Sequence, residues 1–299
     1  MQCSEPHSSP ERRVGPESIP LIASYWTLAG NVRPGGPSEA SPWPLRERAE
    51  LAAKAGWKGL GIVHEDVLAS CAFYGIPAIR SLLDDNGLVF NEVEVLTKWH
   101  RDGEKLAAAD RTRDELIEFG AAIGARNLKV TAGLFESGPP DMAKFRDRFH
   151  ALCERAAPYG INVVVEFLPF SSFDTIDLAV ELVRDAPKNG GLMLDLWHVD
   201  RARQYHRIAA IPPERLLAVE LNDTKTEVVG TLVEDSTNNR RLCGDGDLDV
   251  PGFIRAVMAL DYRGPWGVEI ISEELRRMPL AQAAERVHAT TIAQFTPRA

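Results

Sequence analysis

Residues 161–195 read INVVVEFLPFSSFDTIDLAVELVRDAPKNGGLMLD. The run Ile161–Phe167 (INVVVEF) is β-branched and almost wholly apolar, Thr175–Asp185 places apolar residues at helical spacing, and Gly191–Asp195 (GLMLD) is apolar again. Two short apolar runs around an amphipathic helix read as parallel strands joined by a crossover helix. The alternation continues outward on both sides. Toward the N-terminus lie the helix Asp141–Ala157, the strand Asn127–Thr131 (NLKVT), the helix Glu104–Ile123 stopped by Gly124, and the strand Leu88–Leu96 (LVFNEVEVL). Before them come the helix Val67–Leu83, the strand Gly59–Val63 (GLGIV), the helix Leu45–Ala55 stopped by Gly56, and a first strand in Ile19–Leu28 (IPLIASYWTL). Toward the C-terminus, Leu216–Leu221 (LLAVEL) and Trp266–Ile271 (WGVEII) bring the strand count to eight.

Eight strands alternating with helices predict a closed (β/α)8 TIM barrel, a single domain over residues 19–299. A doubly wound open sheet is the alternative, but it calls for a glycine-rich phosphate loop, and neither GxGxxG nor GxxxxGK[ST] occurs. Residues 223–250 form the longest interruption and follow the seventh strand, at the barrel end where active sites are built; they read as an active-site lid or wall. The polar, proline-containing stretch 1–18 is expected to be a disordered tail rather than a signal peptide, which points to the cytoplasm.

Asp and Glu number 43 against 34 Lys and Arg, a net charge of −9, which argues against a sequence-independent nucleic-acid partner. The chain is also too polar for membrane spans. Cys3, Cys71, Cys153 and Cys243 are scattered without zinc-ligand spacing and read as free thiols.

The last four strands each carry an acid at or near the C-terminal end: Glu166 in VVVEF, Asp195 in LMLDL, Glu220 in LAVEL and Glu269 in WGVEI. A carboxylate inside an apolar strand must be neutralised, paired or metal-bound, and four on neighbouring strands repel one another. A divalent cation resolves that repulsion, and an all-oxygen donor set favours Mg²⁺ or Mn²⁺. The competing reading has each acid capping a helix or pairing with Arg201, Lys225 or Arg241.

The segments VVVEFLPF, GGLMLDLWHVDR, LLAVELND and RRLCGDGDLDVPGFIRAVMALDYRGPWGVEI resemble the xylose isomerase-like superfamily of sugar phosphate isomerases and epimerases. That resemblance, over residues 19–290, implies a (β/α)8 barrel and a divalent metal held by Glu166, Asp195, Glu220 and Glu269. It also implies that His198, in the Asp-x-x-His pattern with Asp195, contacts substrate. One departure stands out: the family usually has His or Gln where Glu220 lies. The epimerases' substrate-binding Arg also lacks a match, and Arg240 or Arg241 is the candidate to replace it.

A metal that binds adjacent carbonyl and hydroxyl oxygens eases removal of the neighbouring C–H proton and stabilises the enediolate. Glu166 and Glu269 are then the expected acid and base, Asp195 chiefly a ligand, and His198 a donor to the developing oxyanion. Trp26, Trp197 and Phe167 are candidate walls for a sugar ring, and His64, Lys129 and Arg241 candidate polar contacts. Glu92 and Glu94 share one face of the third strand without an assigned role. The expected function is a metal-dependent isomerase or epimerase of a keto-sugar or related polyol. A lyase of the same superfamily, an inosose-type dehydratase or 3-keto-glycoside deglycosylase, is the alternative. A multi-zinc nuclease finds no histidine cluster to support it, and a non-catalytic sugar-binding barrel is the remaining reading. A small carbohydrate is the expected partner, and homo-oligomerisation is implied by analogy alone.

Overall fold

The structure is a computed structural model and describes residues 19–296. Its eight parallel strands are β1 (Leu21–Ala23), β2 (Gly59–Val63), β3 (Glu92–Leu96), β4 (Asn127–Thr131), β5 (Asn162–Glu166), β6 (Gly190–Asp195), β7 (Leu216–Leu221) and β8 (Trp266–Val268). They pair in sequence order and β8 closes on β1, giving the (β/α)8 barrel. Because side chains alternate across a strand, Val164 and Glu166, Met193 and Asp195, and Ala218 and Glu220 point inward as stacked pairs. Val164, Met193 and Ala218 form a small apolar cluster of their own. Above that plug the inward positions are acidic. Register sets Asp195 beside Glu220 and Glu220 beside Gly267. A methyl group on Gly267 would stand 2.9 Å from Glu220 Cγ, so the glycine makes room for that side chain.

The outward residues, such as Val163, Val165, Leu192 and Leu194, join the main core with the surrounding helices. Three expectations are corrected. The first strand is only three residues long, and Tyr25–Leu28 turns into a short helix at the barrel mouth. The helix expected over Val67–Leu83 is two helices, His64–Tyr74 and Ile76–Asp85, broken at Gly75 with φ +73° and a proline beginning the second. Residues 223–250 are not one long loop, because Thr231 and Glu234 form a capping box that starts the helix Leu232–Asn238. The residues expected to form a tail, 1–18, lie outside the described residues, as does Cys3. Cys71, Cys153 and Cys243 are free, and burial pushes the Cys153 and Cys243 thiols up to about 12. Among the described residues no single helix is long and apolar enough to cross a membrane.

Candidate active site

The C-terminal ends of the strands open into a cavity of about 570 Å³ whose lining includes Trp26, Glu94, Lys129, Glu166, His198, Arg240 and Glu269. Glu166 ends β5, and Glu269 follows β8, its backbone N–H donating to Leu221 O. Asp195 ends β6 and caps the helix Leu196–Arg201 by accepting the His198 backbone N–H at 3.1 Å. Its second oxygen accepts Asn222 Nδ2 at 2.8 Å and Arg240 Nη1 at 2.9 Å. Burial alone would raise the Asp195 pKa, but Arg240, His198 and these hydrogen bonds outweigh it and hold the carboxyl below its usual range.

The other acids differ. Burial, reinforced by the charges of Glu220 and Asp195, lifts Glu166 well above the usual carboxylate range. Burial and Glu220 likewise lift Glu269, despite Arg240 Nη1 at 2.9 Å from its Oε2. Glu94 and Glu220 are raised by burial against the pull of Lys129. Burial lowers His198 to about 4, so its ring is neutral at pH 7. Its Nε2 lies 3.2 Å from Glu166 Oε1, yet that oxygen has no aligned hydrogen bond.

The four acids read from the sequence fall into two groups. Single ligand atoms of Glu166, Asp195 and His198 lie within 4.8 Å of one another, and the same holds for Glu94, Glu220 and Glu269. Arg240 joins the groups through Asp195 and Glu269. Six buried carboxylates, those four with Glu92 and Glu94, thus face two buried permanent cations, Lys129 and Arg240, while Lys98, Arg101 and Lys105 line the cavity farther toward solvent. Glu166 Oε1, Glu220 Oε2 and His198 Nδ1 are buried without hydrogen-bond partners. Unspent acceptors and uncompensated negative charge are what a divalent cation relieves, so the donor set fits one.

Of the residues expected to touch substrate, Trp26 and Lys129 line the cavity. Three do not. His64 turns to Glu115, with Nε2 at 2.5 Å from its Oε2. Trp197 is wholly buried; its Nε1 donates to Asp235 at 3.1 Å and its ring supports the Arg240 guanidinium at 5.5 Å. Arg241 reaches outward to Glu274 at 2.8 Å, so of the two neighbours it is Arg240 that lines the cavity. Phe167 is buried in the main core and does not line the cavity. Sequence reasoning missed Ser24 and Asn222, and gave Glu94 no role. Two acids at alternate positions of a buried strand, EVEVL, were the available signal for Glu94; nothing local marks the other two. A groove of similar size, about 610 Å³, lies outside the barrel between Asp223–Met258 and the C-terminal residues, away from the acid cluster.

The architecture is thus a closed (β/α)8 barrel with a carboxylate-lined mouth at the C-terminal ends of its strands. The sequence model described as Xylose isomerase-like TIM barrel matches residues 49–291, and the chain belongs to that family. It is 31% identical over 245 residues to a 3-dehydroshikimate dehydratase of Pseudomonas aeruginosa, covering 79% of this chain and 37% of that protein. The chain therefore spans less than two fifths of that relative's length. Solved structures of the IOLI protein with a bound zinc atom (TM-score 0.80, 16% identity, 92% of this chain and 98% of that one) and of a Methylomonas D-allulose 3-epimerase with D-allulose (TM-score 0.69, 18%, 92% and 95%) share the fold.

Proposed function

We propose that the cavity is a metal-assisted proton-transfer site and that the chain is a lyase removing water from a cyclic hydroxy-ketone, 3-dehydroshikimate being the first substrate to test. One observation carries this reading: Glu166, Glu269 and His198 line one cavity, Glu166 with a buried oxygen that has no hydrogen-bond partner, in a chain 31% identical to a dehydratase. Glu166, Asp195, Glu220 and Glu269 would hold the ion, and an oxygen-rich set suits Mn²⁺ or Mg²⁺. When bound, the ion polarises a carbonyl and makes the adjacent C–H more acidic.

The chain's own residues supply the proton path. Glu166, whose Oε1 has no hydrogen-bond partner, is the base for the proton beside the carbonyl; the charge of a bound ion would offset the burial that otherwise disfavours its ionised form. Glu269, whose carboxyl burial disposes to hold a proton, lines the same cavity and is placed to give one to the departing hydroxyl. His198, neutral at pH 7, offers an N–H to a substrate oxygen. Arg240 keeps Asp195 ionised and orients Glu269. An isomerase or epimerase begins with the same proton abstraction and differs in returning the proton to carbon. Incubation of Mn²⁺-supplied protein with 3-dehydroshikimate and a panel of keto-sugars in D₂O, followed by NMR, separates these outcomes. The lyase reading expects loss of one water from 3-dehydroshikimate to leave a dihydroxybenzoate. Deuterium in an undehydrated epimer or isomer overturns it in favour of isomerase chemistry, and no reaction with any member of the panel overturns both.

A further inference from the structure

Lys129 stands in the middle of β4 with its ammonium fully buried inside the barrel. Its Nζ contacts Glu220 Oε1 closely, and lies 3.2 Å from Glu92 Oε2, 3.3 Å from Glu94 Oε2 and 3.2 Å from Ser24 Oγ. Ser24 also donates to Glu220 Oε1. That oxygen is thus fully engaged, while Oε2 of the same carboxylate is buried without any partner. Glu94 is fixed in turn: its Oε1 accepts the Tyr25 backbone N–H at 2.9 Å, in space that a methyl group on Gly61 would invade at 1.7 Å. An ammonium amid three carboxylates is expensive to assemble unless the group has a task that a smaller apolar set cannot perform.

We propose that Lys129 is a positioning residue that turns Glu220 into the electrical equivalent of a neutral ligand. It ties down Oε1, cancels the charge, and leaves Oε2 as an oxygen donor toward the metal. This rests on the metal reading of the site given above. It accounts for a glutamate on β7 in a barrel already holding Glu166, Asp195 and Glu269: the Lys129–Glu220 pair adds a donor atom without adding net negative charge.

The consequence is an ordering of metal affinities by charge. Lys129→Met leaves Glu220 without its cation and makes the site one unit more negative; Glu220→Gln leaves Lys129 with Glu92 and Glu94 alone and makes the site one unit more positive. The double variant restores the balance with a neutral amide on β7. Interaction between a dication and a buried charge a few ångströms away is large enough for each unit step to be read directly. Calorimetric titration of the full chain with Mn²⁺ at fixed pH is expected to give Lys129→Met at least tenfold tighter than wild type. Glu220→Gln is expected to be at least tenfold weaker, and the double variant to lie within about threefold of wild type. A merely structural Lys129 gives the opposite sign, because loosening the barrel centre weakens the site. Binding by Lys129→Met that is equal to or weaker than wild type, or a double variant no tighter than Glu220→Gln, overturns the proposal. If Lys129→Met does not fold, the comparison of the double variant with Glu220→Gln decides: a tenfold recovery supports the proposal and none overturns it. Absence of Mn²⁺ binding by folded wild-type protein defeats the metal reading itself and this inference with it, an outcome distinct from wild-type binding with the wrong order among variants.

Discussion

Arg240 is 1% exposed and bridges Asp195 and Glu269, whereas the adjacent Arg241 pairs at the surface with a largely exposed Glu274. Removing one partner of a buried ion pair strands the other charge, so Arg240→Met is expected to cost about 3–5 kcal/mol. Arg241→Ala loses only an exposed pair and is expected to stay within about 0.5 kcal/mol of wild type. Urea unfolding of both variants checks the contrast, and equal losses would count against the assignment of Arg240 to the cavity. Glu166→Gln keeps the shape of the side chain but removes its proton-accepting charge, and a lost general base lowers kcat by about 10²–10⁴. Single-turnover kinetics with metal present measure that loss; a change under tenfold rules out the role. The acids at strand ends were legible because an acid interrupting an apolar run is a local anomaly. Ser24, Asn222 and the choice between the two arginines were not, since their significance comes from residues as much as 196 positions away in the chain.

At the scale of elements, repeating apolar runs and glycine stops identified the eight strands, while the break at Gly75 and the helix Leu232–Asn238 depended on local backbone geometry that periodicity does not register. Gly61 on β2 shows how an element serves the site: a methyl group there would meet Glu94 Oε1 at 1.7 Å and Tyr25 N at 2.7 Å. Gly61→Ala is therefore expected to lower the unfolding midpoint by several degrees and weaken Mn²⁺ binding together, and loss of stability alone would separate β2 from the site. The helix Leu280–Ala293 packs on Leu45–Ala55 and carries His288, whose pKa is lowered from 6.5 mainly by burial. The folded state then resists protonation that the unfolded chain accepts, so this histidine costs stability as pH falls below 6.5. Thermal unfolding from pH 7 to 5 is expected to show a shallower acid loss in His288→Gln than in wild type, and parallel curves would refute a half-buried histidine that resists protonation.

Across the whole molecule, closure of β8 on β1 gathers acids from β3, β5, β6, β7 and the end of β8 around one axis, a convergence that no single segment of sequence displays. The barrel thereby confines like charges that a bound cation would relieve, and binding to the folded state alone adds stability by mass action. Mn²⁺ at about 100 times its Kd is expected to add about 2.7 kcal/mol, seen as a rise in unfolding midpoint that a chelator reverses. The most direct measurement is the metal retained per chain after incubation with Mn²⁺ and desalting, for wild type beside Glu166→Gln/Glu269→Gln. The account predicts about one ion per wild-type chain and none in the folded double variant. No retained ion in the wild type, or equal retention in both, would contradict a metal centre built on these carboxylates.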